Sequence, residues 1–573
     1  MYTLIFKIEN EKDVKVLAEA GDNVLELMQK NNISIDAPCS GNGVCGKCRV
    51  RIIAGSVDME KNPHLSEEDY QDQWRLACQS KVVGDATLWV PASAAAFKAD
   101  IKTADISSPE ELERYENAIN EIFNAGLDIQ VEAKEGEVGI AIDIGTTTCT
   151  AAMLDLHTRK VLGKASLGNG QIRYGADVIN RIIQQTKEGG VDKLRSAVRE
   201  ETLLPMIESL LKESKKEEKD ITRYVIAGNT TMEHLFLGAN GESIRLEPFV
   251  PEFLQRRGDT AKSCGLPGQE DAEVVFAPNV GSYVGGDITA GTLDSMLWNG
   301  EEMTLFIDLG TNGELVFGNS DFMLTCACSA GPAFEGGDIS CGMRATKGAI
   351  DSVELDPETY EPTYSIIGGN SDGLGGRNDA ETSVKPAGLC GSGLISIISE
   401  LFQKGAINAK GKFVGQSPRI KYDEEIGSGE YIVATAEESA SGSELTLTES
   451  DLDNFIRAKG AIFSAIQTML KSLDMDVDCI DKVILAGGIG SGIDMEKAIS
   501  IGMLPKIPLE KYSYIGNSSL TGACAMLLSN DATQKVFDIA NNMTYLELST
   551  YPGYMDELLA ACFIPHTDAT LFD

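Results

Sequence analysis

The first ninety residues alternate apolar and polar side chains in short stretches. Four segments show this alternation and predict β-strands: residues 2–9, 13–18, 48–53 and 87–91. Between the second and third segments, apolar residues recur at helical spacing, so residues 23–31 predict a short helix with Asp22 at its N-cap. The pattern therefore predicts a small β-rich domain over residues 1–94.

A second helical pattern occupies the polar stretch that follows. Residues 109–125 place their apolar side chains on one stripe, with Ser108 at the N-cap position and Glu111 completing the pattern of a capping box. Gly126 is placed to end this helix. Because an apolar stripe needs a surface to cover, residues 95–136 predict a docked linker that contains a helix.

Beyond the linker, two strand–turn–strand patterns repeat each other. Residues 138–155 read VGIAIDIGTTTCTAAMLD and residues 304–318 read TLFIDLGTNGELVFG, and each contains an Asp-x-Gly-Thr turn. A third apolar strand runs into a glycine-rich loop in VILAGGIGSGID, at residues 483–494. A single such turn is compatible with ordinary Asp and Gly turn chemistry, so the repetition and the order carry the signal.

Each repeated turn can bind phosphate. Its backbone N–H groups are unencumbered, and a threonine hydroxyl, from Thr146 or Thr311, stands beside them. Asp143 and Asp308 lie at strand ends, where each can hold Mg²⁺ through water. Glycines in the third loop let an adenine and its ribose lie flat on the backbone. The residues predicted to contact a nucleotide are Gly145, Thr146, Thr147, Gly310, Thr311, Asn312, Gly391, Ser392, Gly487, Gly488 and Gly490.

Two acidic residues are candidates for the catalytic group that orients an attacking water. Glu335 stands in the glycine-rich segment CSAGPAFEGGDISCGM, and Asp287 stands in a predicted helix within residues 284–297. The sequence does not decide between Glu335 and Asp287. Together with Asp143 and Asp308, they form the set of predicted catalytic carboxylates.

Four cysteines have a spacing that predicts an iron–sulfur cluster. Cys39, Cys45 and Cys48 lie in the glycine-rich segment CSGNGVCGKC, and Cys78 follows in WRLACQS. Three clustered thiolates and one distant thiolate can hold two irons, whereas a zinc site, the alternative, more often has two C-x2-C pairs. Glycines in the loop let the backbone wrap closely and aim N–H groups at the sulfurs. The other nine cysteines lack ligand spacing and are expected to be buried small hydrophobes.

The charge balance limits the classes of partner. The 573 residues carry 49 basic and 87 acidic side chains, which gives a net charge of −38. Nucleic acids and anionic membranes attract basic surfaces, so neither is expected as a partner. The first apolar run is too short for a signal peptide, and no stretch of about 18 uncharged apolar residues occurs. We therefore expect a cytoplasmic protein.

These motifs resemble two known families. Residues 1–94 resemble a [2Fe–2S] ferredoxin domain of the β-grasp kind, with a loop one residue longer than the plant-type spacing, as in the adrenodoxin-like branch. The ordered loops resemble the actin, hexokinase and Hsp70 (ASKHA) superfamily, in which two ribonuclease-H-like lobes close on ATP. The fold class implied is a multidomain combination of α+β and α/β. The ATPase would span residues 137–573, with lobe 1 at about 137–300 plus 512–573 and lobe 2 at about 301–511.

The combination of both parts resembles the reductive activators of corrinoid proteins. Downhill electron transfer needs no ATP, so a one-electron carrier joined to an ATP-driven clamp indicates reduction of a low-potential centre. The segments RLACQS, AIDIGTTT, IAGNTTMEHL, IDLGTNGE, LAGGIG and CFIPHTD are all similar to that family. The resemblance implies a [2Fe–2S] cluster, ATP and Mg²⁺ as cofactors. It also implies a homodimer, an external low-potential electron donor, and an anaerobic corrinoid methyltransferase partner whose Co(II) is returned to Co(I).

Two other functions stay open at this point. An activator of another low-potential enzyme, similar to the 2-hydroxyacyl-CoA dehydratase activators, would carry a [4Fe–4S] cluster. An ASKHA kinase with a fused redox sensor would phosphorylate a small hydroxylated substrate. One departure from the corrinoid activators is that longer members insert a small domain before the ATPase, whereas only about forty residues stand there in this chain.

Overall fold

The computed structural model describes most of the chain as two compact units. The described residues are 1–8, 12–31, 33, 35, 37, 41, 43, 46–91, 105, 106, 108–128, 132–369, 384–423, 427–488 and 492–572. One unit comprises Met1–Gly286 with Ala523–Thr533, and the other comprises Asp287–Gly522 with Gln534–Asp573. Within these described ranges, each helix is too short or too polar to cross a bilayer.

The first unit begins with a five-stranded sheet of the order β2-β1-β5-β3-β4. Its strands are β1 (Tyr2–Ile8), β2 (Val14–Ala18), β3 (Arg49–Asp58), β4 (Trp74–Leu76) and β5 (Lys81–Val90). Its helices are Val24–Lys30, Glu67–Gln71 and the 3-10 turn Ala77–Gln79. Strand β1 pairs antiparallel with β2 and parallel with β5, which is the central pairing of a β-grasp sheet. We call residues 1–91 the ferredoxin-like domain.

The alternation of apolar residues predicted β1 and β2 closely and only parts of β3 and β5, and it missed β4. Strand β1 turns Leu4, Phe6 and Ile8 into the core, where each is at most 6% exposed. The helix Val24–Lys30 is capped by Asn23, whose Oδ1 accepts from the Glu26 N–H at 3.2 Å. The prediction of Asp22 as the cap was wrong, because Asp22 Oδ2 accepts from the Glu19 N–H at 2.8 Å.

The linker helix spans Pro109–Asn124 and is docked as predicted. Ser108 caps it by accepting from the Glu111 N–H at 3.3 Å. Its Ile119 and Ile122 side chains are buried, and the Glu111 carboxylate pairs with Lys164. These contacts attach the helix to the neighbouring sheet, so the linker is more than a tether.

The rest of the first unit is built on a seven-stranded sheet of the order β11-β12-β10-β7-β8-β9-β6. Its strands are β6 (Asp105–Ile106), β7 (Val138–Ile144), β8 (Thr148–Asp155), β9 (Val161–Gly168), β10 (Ile221–Gly228), β11 (Asp259–Thr260) and β12 (Glu273–Phe276). Its helices are Val178–Gln185, Gly190–Val198, Leu204–Ser214, Thr230–Leu237, Glu242–Arg245 and Ala261–Cys264, with 3-10 turns at Gly170–Tyr174 and Glu218–Asp220 and a π-turn at Arg199–Leu203. The antiparallel β7–β8–β9 meander followed by parallel β10 and β12 is a ribonuclease-H-like arrangement.

The second unit repeats the meander in a six-stranded sheet of the order β23-β22-β13-β14-β15-β24. Its strands are β13 (Thr304–Leu309), β14 (Gly313–Gly318), β15 (Met323–Cys328), β22 (Lys482–Ala486), β23 (Tyr512–Tyr514) and β24 (Met543–Tyr545). Two smaller sheets are formed by β16 (Ala349–Leu355), β17 (Pro362–Ile366) and β18 (Gly388–Leu389), and by β19 (Ile420–Tyr422), β20 (Gly429–Ala434) and β21 (Leu445–Thr448). The helices are Gly391–Gln403, Glu449–Ser472, Met495–Ser500 and Tyr554–Ala561, with 3-10 turns at Leu297–Asn299, Pro332–Glu335, Val477–Cys479, Leu509–Lys511, Leu548–Thr550 and Ala569–Phe572.

Three helices, Gly286–Asp294, Ser518–Leu528 and Asn530–Asn542, carry the chain from one unit into the other. Within the second unit the first two of them cross closely. A Cβ atom at Gly522 would lie 2.0 Å from the Ala290 carbonyl oxygen, and one at Gly291 would lie 2.8 Å from Ser518 Oγ. Small residues are therefore required at this crossing.

Candidate functional site

The described part of the predicted cluster site brings two cysteines together. Cys48 precedes β3 and Cys78 lies in the 3-10 turn Ala77–Gln79; they are 1% and 6% exposed. The Cys78 N–H donates to Cys48 Sγ at 3.5 Å, and Gln79 Nε2 donates to Cys78 Sγ at 3.8 Å. Cys39 and Cys45 lie outside the described residues.

The surroundings of these sulfurs fit a thiolate-bound cluster. Gly41, Gly43 and Gly46 all have left-handed φ angles, of 87°, 76° and 65°. A Cβ atom at Gly43 would lie 2.8 Å from Gln79 Nε2, so a side chain there would collide with a sulfur-directed donor. Donors directed at buried sulfurs stabilise negative charge on them, as a bound iron centre requires.

The other nine cysteines divide into two groups. Seven are buried as predicted, and burial raises the pKa of several of these thiols, including Cys149, Cys326 and Cys328. The expectation of full burial was wrong for Cys479 and Cys562, which are half-buried. Raised thiol pKa values oppose metal ligation, which needs the thiolate.

The first predicted phosphate loop, residues 145–147, connects β7 to β8. A Cβ atom at Gly145 would lie 2.3 Å from the Thr148 carbonyl oxygen, so the tight turn after Asp143 requires glycine. Two loop carbonyls accept from Asn169: Gly145 O from its Nδ2 at 2.9 Å, and Thr147 O from its backbone N–H at 2.8 Å.

Two further side chains hold Thr146 in this loop. The Thr146 carbonyl accepts from the guanidinium of Arg181, and its Oγ1 accepts from Asn229 Nδ2 at 2.9 Å. In a trans peptide the C=O and the N–H point in opposite directions. Hydrogen bonds that fix the loop carbonyls on one side therefore direct the N–H groups of the same peptides to the other side. Asn169, Arg181 and Asn229 thus hold the carbonyls and the Thr146 hydroxyl of this loop in place.

The second predicted phosphate loop, residues 310–312, connects β13 to β14 in the second unit. Asp308 stands opposite Glu314 on β14 and beside Ala486 on β22. The Gly310 N–H donates to the Asn312 carbonyl at 3.1 Å and closes the turn. Thr311 Oγ1 donates to Glu335 Oε1 at 2.9 Å, so Glu335 is held beside this loop.

The third predicted loop begins at the same sheet edge of the second unit. Gly487 has φ +91°, and a Cβ atom there would lie 2.6 Å from Asp308 Oδ1. Gly488 has open space around its Cβ position, and Gly490 lies outside the described residues. A Cβ atom at Gly492 would lie 3.2 Å from Ser392 Oγ. Parallel pairing of β13 with β22 is what makes these loops neighbours.

Gly391 and Ser392 lie where strand β18 runs into a helix. They are the first two residues of the helix Gly391–Gln403, with Cys390 as its N-cap. The first N–H groups of a helix lack partners within the helix, so this start is suited to an anion. Ser392 at this helix start lies close to Gly492 of the third loop. The helix start thereby extends the group formed by Asp308, Thr311, Glu335 and Gly487.

A buried acid that the sequence analysis missed lies among the predicted carboxylates. Glu314 is 6% exposed, and burial, together with the charges of Asp287 and Asp308, raises its pKa well above the usual range. Strand register alone would have placed it opposite Asp308 across the two-strand turn. Asn169 and Arg181 had no sequence signal, and Asn229 was noted only within the family-like segment IAGNTTMEHL.

Family comparisons cover nearly the entire chain. A 2Fe-2S iron–sulfur cluster binding domain matches residues 7–83, the RACo middle region matches residues 138–299, and the C-terminal domain of RACo, the ASKHA domain, matches residues 302–573.

Individual relatives extend this match. Corrinoid activation enzyme RamQ of Eubacterium limosum is 33% identical over 427 residues, covering 73% of this chain and 69% of RamQ. A Co(II) methylated amine-specific corrinoid protein reductase of Methanosarcina barkeri is 24% identical over 428 residues, covering 71% of this chain and 73% of the reductase. A solved structure named as a reductive activator for a corrinoid, iron–sulfur protein is 36% identical, covers 100% of both chains and has a TM-score of 0.68.

These matches confirm the predicted fold class, a ferredoxin domain joined to an ASKHA ATPase, and with it the [2Fe–2S] cluster, ATP and Mg²⁺ as cofactors. The domain boundaries and the individual site residues stay predictions. The chain belongs to the RACo family, the reductive activators of corrinoid proteins.

Proposed function

We propose that the protein is an ATP-dependent reductive activator that gives one electron to the inactive Co(II) corrinoid of a methyltransferase corrinoid protein and restores Co(I). The observation that carries the proposal is the similarity, over 73% of this chain, to a corrinoid activation enzyme, together with the full-length match to a solved activator. The two alternatives considered from sequence have no comparable support.

The cluster residues proposed are Cys39, Cys45, Cys48 and Cys78. When bound, a [2Fe–2S] cluster supplies the single electron for the reduction, at a potential near about −400 mV for plant-type centres. The chain contributes the sulfur-directed donors, the Cys78 N–H and the Gln79 side-chain amide, which stabilise charge on the thiolates. It also buries Cys48 and Cys78 almost fully, which keeps water from their sulfurs.

The nucleotide residues proposed are those of the two phosphate loops and the third loop. N–H groups of Gly145, Thr146 and Thr147 face phosphate, and their counterparts in the second unit are Gly310, Thr311 and Asn312, with Gly391 and Ser392 as a further anion site. Asp143 and Asp308 hold Mg²⁺ through water. Gly487, Gly488 and Gly490 accommodate adenosine.

Glu335 is the proposed group for orienting the attacking water, ahead of Asp287. Glu335 accepts from the Thr311 hydroxyl at 2.9 Å, so its carboxylate is fixed beside a phosphate loop. Asp287 lies near the buried Glu314 and near Asp308, where it contributes negative charge suited to Mg²⁺. A carboxylate held in place by a neighbouring hydroxyl can hold the proton of an attacking water.

The corrinoid protein partner follows from the names of the relatives. An external low-potential donor must reload the protein after each electron is given, because the chain otherwise stops after one turnover. A homodimer and a cytoplasmic location are also proposed, on the family resemblance and on the acidic composition.

The test uses the anaerobically purified full chain, a strong reductant and a Co(II) corrinoid protein. We expect Co(I) to appear in the visible spectrum only when MgATP is present. Co(I) formation with and without MgATP, or in neither case, would contradict ATP coupling. Asp143→Ala and Asp308→Ala are expected to abolish ATP turnover while the colour of the cluster stays; loss of colour would indicate a folding defect instead.

A further inference from the structure

The ferredoxin-like domain contacts the seven-stranded part of its own unit beside its cysteines. Gln29 Nε2, on the helix Val24–Lys30, donates to the Arg173 carbonyl oxygen at 3.0 Å. A cavity of about 490 Å³ opens next to this hydrogen bond. Its walls include Gln29, Gly41 and Cys78 on one side and Tyr174, Gln184 and Lys187 on the other.

The contact helix is attached directly to the cluster site. Asn23, its N-cap residue, donates from Nδ2 to the Cys78 carbonyl oxygen at 2.7 Å. A Cβ atom at Gly41 would lie 3.4 Å from Leu25 and 3.7 Å from Cys78, so the cysteine loop packs on the same helix. A movement of this helix therefore carries the cluster site with it.

The other side of the contact is attached directly to the first phosphate loop. We call residues 169–181 the docking segment; it contains the 3-10 turn Gly170–Tyr174 and the start of the helix Val178–Gln185. Asn169 opens the segment and bonds to the loop carbonyls of Gly145 and Thr147. Four residues later, Arg173 offers its carbonyl to the ferredoxin-like domain.

Arg181 closes the docking segment and ties both ends together. It is fully buried, and its guanidinium donates to the Thr146 carbonyl of the phosphate loop. The same guanidinium donates from Nε to Gly175 O at 2.8 Å and from Nη1 to Gln171 Oε1 at 3.3 Å. One side chain thus joins the loop to the turn that holds Arg173.

The peptide planes of the loop make this connection sensitive to phosphate. The carbonyls of Gly145, Thr146 and Thr147 share rigid planes with the N–H groups of the residues that follow them. A bound phosphate that rotates these N–H groups towards itself also rotates the carbonyls that accept hydrogen bonds from Asn169 and Arg181. These hydrogen bonds connect any reorientation of the loop directly to the docking segment.

We propose that Asn169 and Arg181 position the first phosphate loop and pass its state to the ferredoxin-like domain, so that bound nucleotide weakens the docking of that domain at Arg173. The proposal rests on the proposed function, in which the loop binds ATP and the cysteines hold the cluster. In the docked position, the face that carries Gly41 and Cys78 is turned towards the protein's own surface. Release of the domain makes this face accessible to a redox partner.

The proposal requires that the domain exchange between a docked and a released position. A contact centred on a short helix is readily reversible, as interfaces between domains of one chain commonly are. A ligand shifts such an equilibrium only if it binds the two states with different affinities. The effect is reciprocal, so a change in docking also changes the affinity for the nucleotide.

The first test follows from this reciprocity. Gln29→Ala removes the docking hydrogen bond far from the nucleotide, and should tighten binding of a non-hydrolysable ATP analogue by about two- to fivefold, measured with Mg²⁺ on the cluster-loaded full chain. Gln71→Ala, at an exposed glutamine elsewhere on the same domain, is the matched control and should leave the affinity unchanged. An unchanged or weaker affinity in Gln29→Ala would overturn the proposal.

The second test measures the docking itself by hydrogen exchange. In the wild-type protein the analogue should speed exchange in residues 24–31 and 169–175. Arg181→Lys, which keeps the charge and loses the planar fork, should still bind the analogue, more weakly, but without changing exchange in residues 24–31. A thermal melt checks that this variant is folded; if it is not, the Gln29→Ala result decides.

The coupling and the proposed function fail in different ways. One outcome is that the wild-type protein reduces a Co(II) corrinoid protein with MgATP while nucleotide leaves hydrogen exchange in residues 24–31 unchanged. In that case the proposed coupling is wrong and the proposed function stands. If the wild-type protein binds no nucleotide, the proposed function fails and the coupling with it.

Discussion

Gly487 approaches Asp308 so closely that a Cβ atom at position 487 would lie 2.6 Å from Oδ1 of the aspartate. The glycine also has φ +91°, a backbone conformation that L side chains rarely adopt. This approach joins the third loop to the second phosphate loop within one unit. The absence of a side chain at position 487 is therefore a requirement of the predicted nucleotide site.

Gly487→Ala should weaken nucleotide binding by at least about tenfold, because the new methyl group displaces Asp308 or the loop backbone. Gly300→Ala is the matched control, since Gly300 lies outside the predicted nucleotide loops, the nearest atom to its Cβ position is 3.9 Å away and its φ is −135°. Binding of a fluorescent ATP analogue with Mg²⁺ compares the two variants. Equal affinities would show that the third loop lies away from the nucleotide.

Cys48→Ser should remove the cluster while nucleotide binding stays within about twofold of wild type. Cys48 lies in the ferredoxin-like domain, whose own sheet and core are separate from the phosphate loops. Iron and sulfide content and the visible spectrum of the anaerobic protein measure the loss. Cys479→Ser, at a half-buried cysteine of the second unit, is the control and should keep full iron content. Full iron content in Cys48→Ser would contradict the ligand assignment.

Local patterns predicted the strands and turns that carry these residues. The alternation around Asp143 and Asp308 predicted both strand–turn–strand elements, which the structure forms as β7–β8 and β13–β14. Cysteine spacing predicted that Cys48 and Cys78 meet, and they do. Such patterns reflect periodicity within one segment, so they predict a single element and the turn that follows it, but not contacts between segments.

Contacts between distant segments were beyond those patterns. Asn169 lies 24 positions after Gly145, and nothing in its neighbourhood marks it as a partner of the phosphate loop. Arg181 is buried in a short helix, and its burial is explained by acceptors on other segments, the Thr146 and Gly175 carbonyls and Gln171 Oε1. Asp22 and Asn23 are equally good caps by residue type, and the turn after β2 decides between them.

Glu335→Gln should lower kcat for ATP hydrolysis by about a hundredfold or more and leave KM within about threefold. The amide keeps the shape and can still accept from Thr311, but it cannot take a proton from water. Asp287→Asn is the comparison variant and should mainly raise the Mg²⁺ concentration needed for activity. A full loss of kcat in Asp287→Asn with normal hydrolysis in Glu335→Gln would reverse the two assignments.

Lys459 makes the stability of the second unit depend on pH. It is fully buried in the helix Glu449–Ser472, and its Nζ lies within hydrogen-bond distance of the carbonyls of Pro565 at 2.7 Å, Gly502 at 3.4 Å and Phe563, two of which a neutral amine can serve at a time. Burial lowers the pKa of Lys459 from 10.5 to about 7, although the charge of Cys562 acts in the opposite direction.

The sign of the pH effect follows from proton uptake on unfolding. Between pH 7 and 10.5 the folded protein holds Lys459 neutral while the unfolded chain binds the proton. The free energy of unfolding therefore rises with pH across this window, and the contribution is lost as pH falls towards 7, with a slope of about 1 kcal/mol per pH unit. Lys459→Met removes the titrating group and should flatten the slope, even though the three carbonyls lose their donor and lower the stability overall. Urea unfolding of both proteins at pH 7, 8 and 9 measures the difference, and parallel slopes would show that Lys459 stays charged in the folded protein.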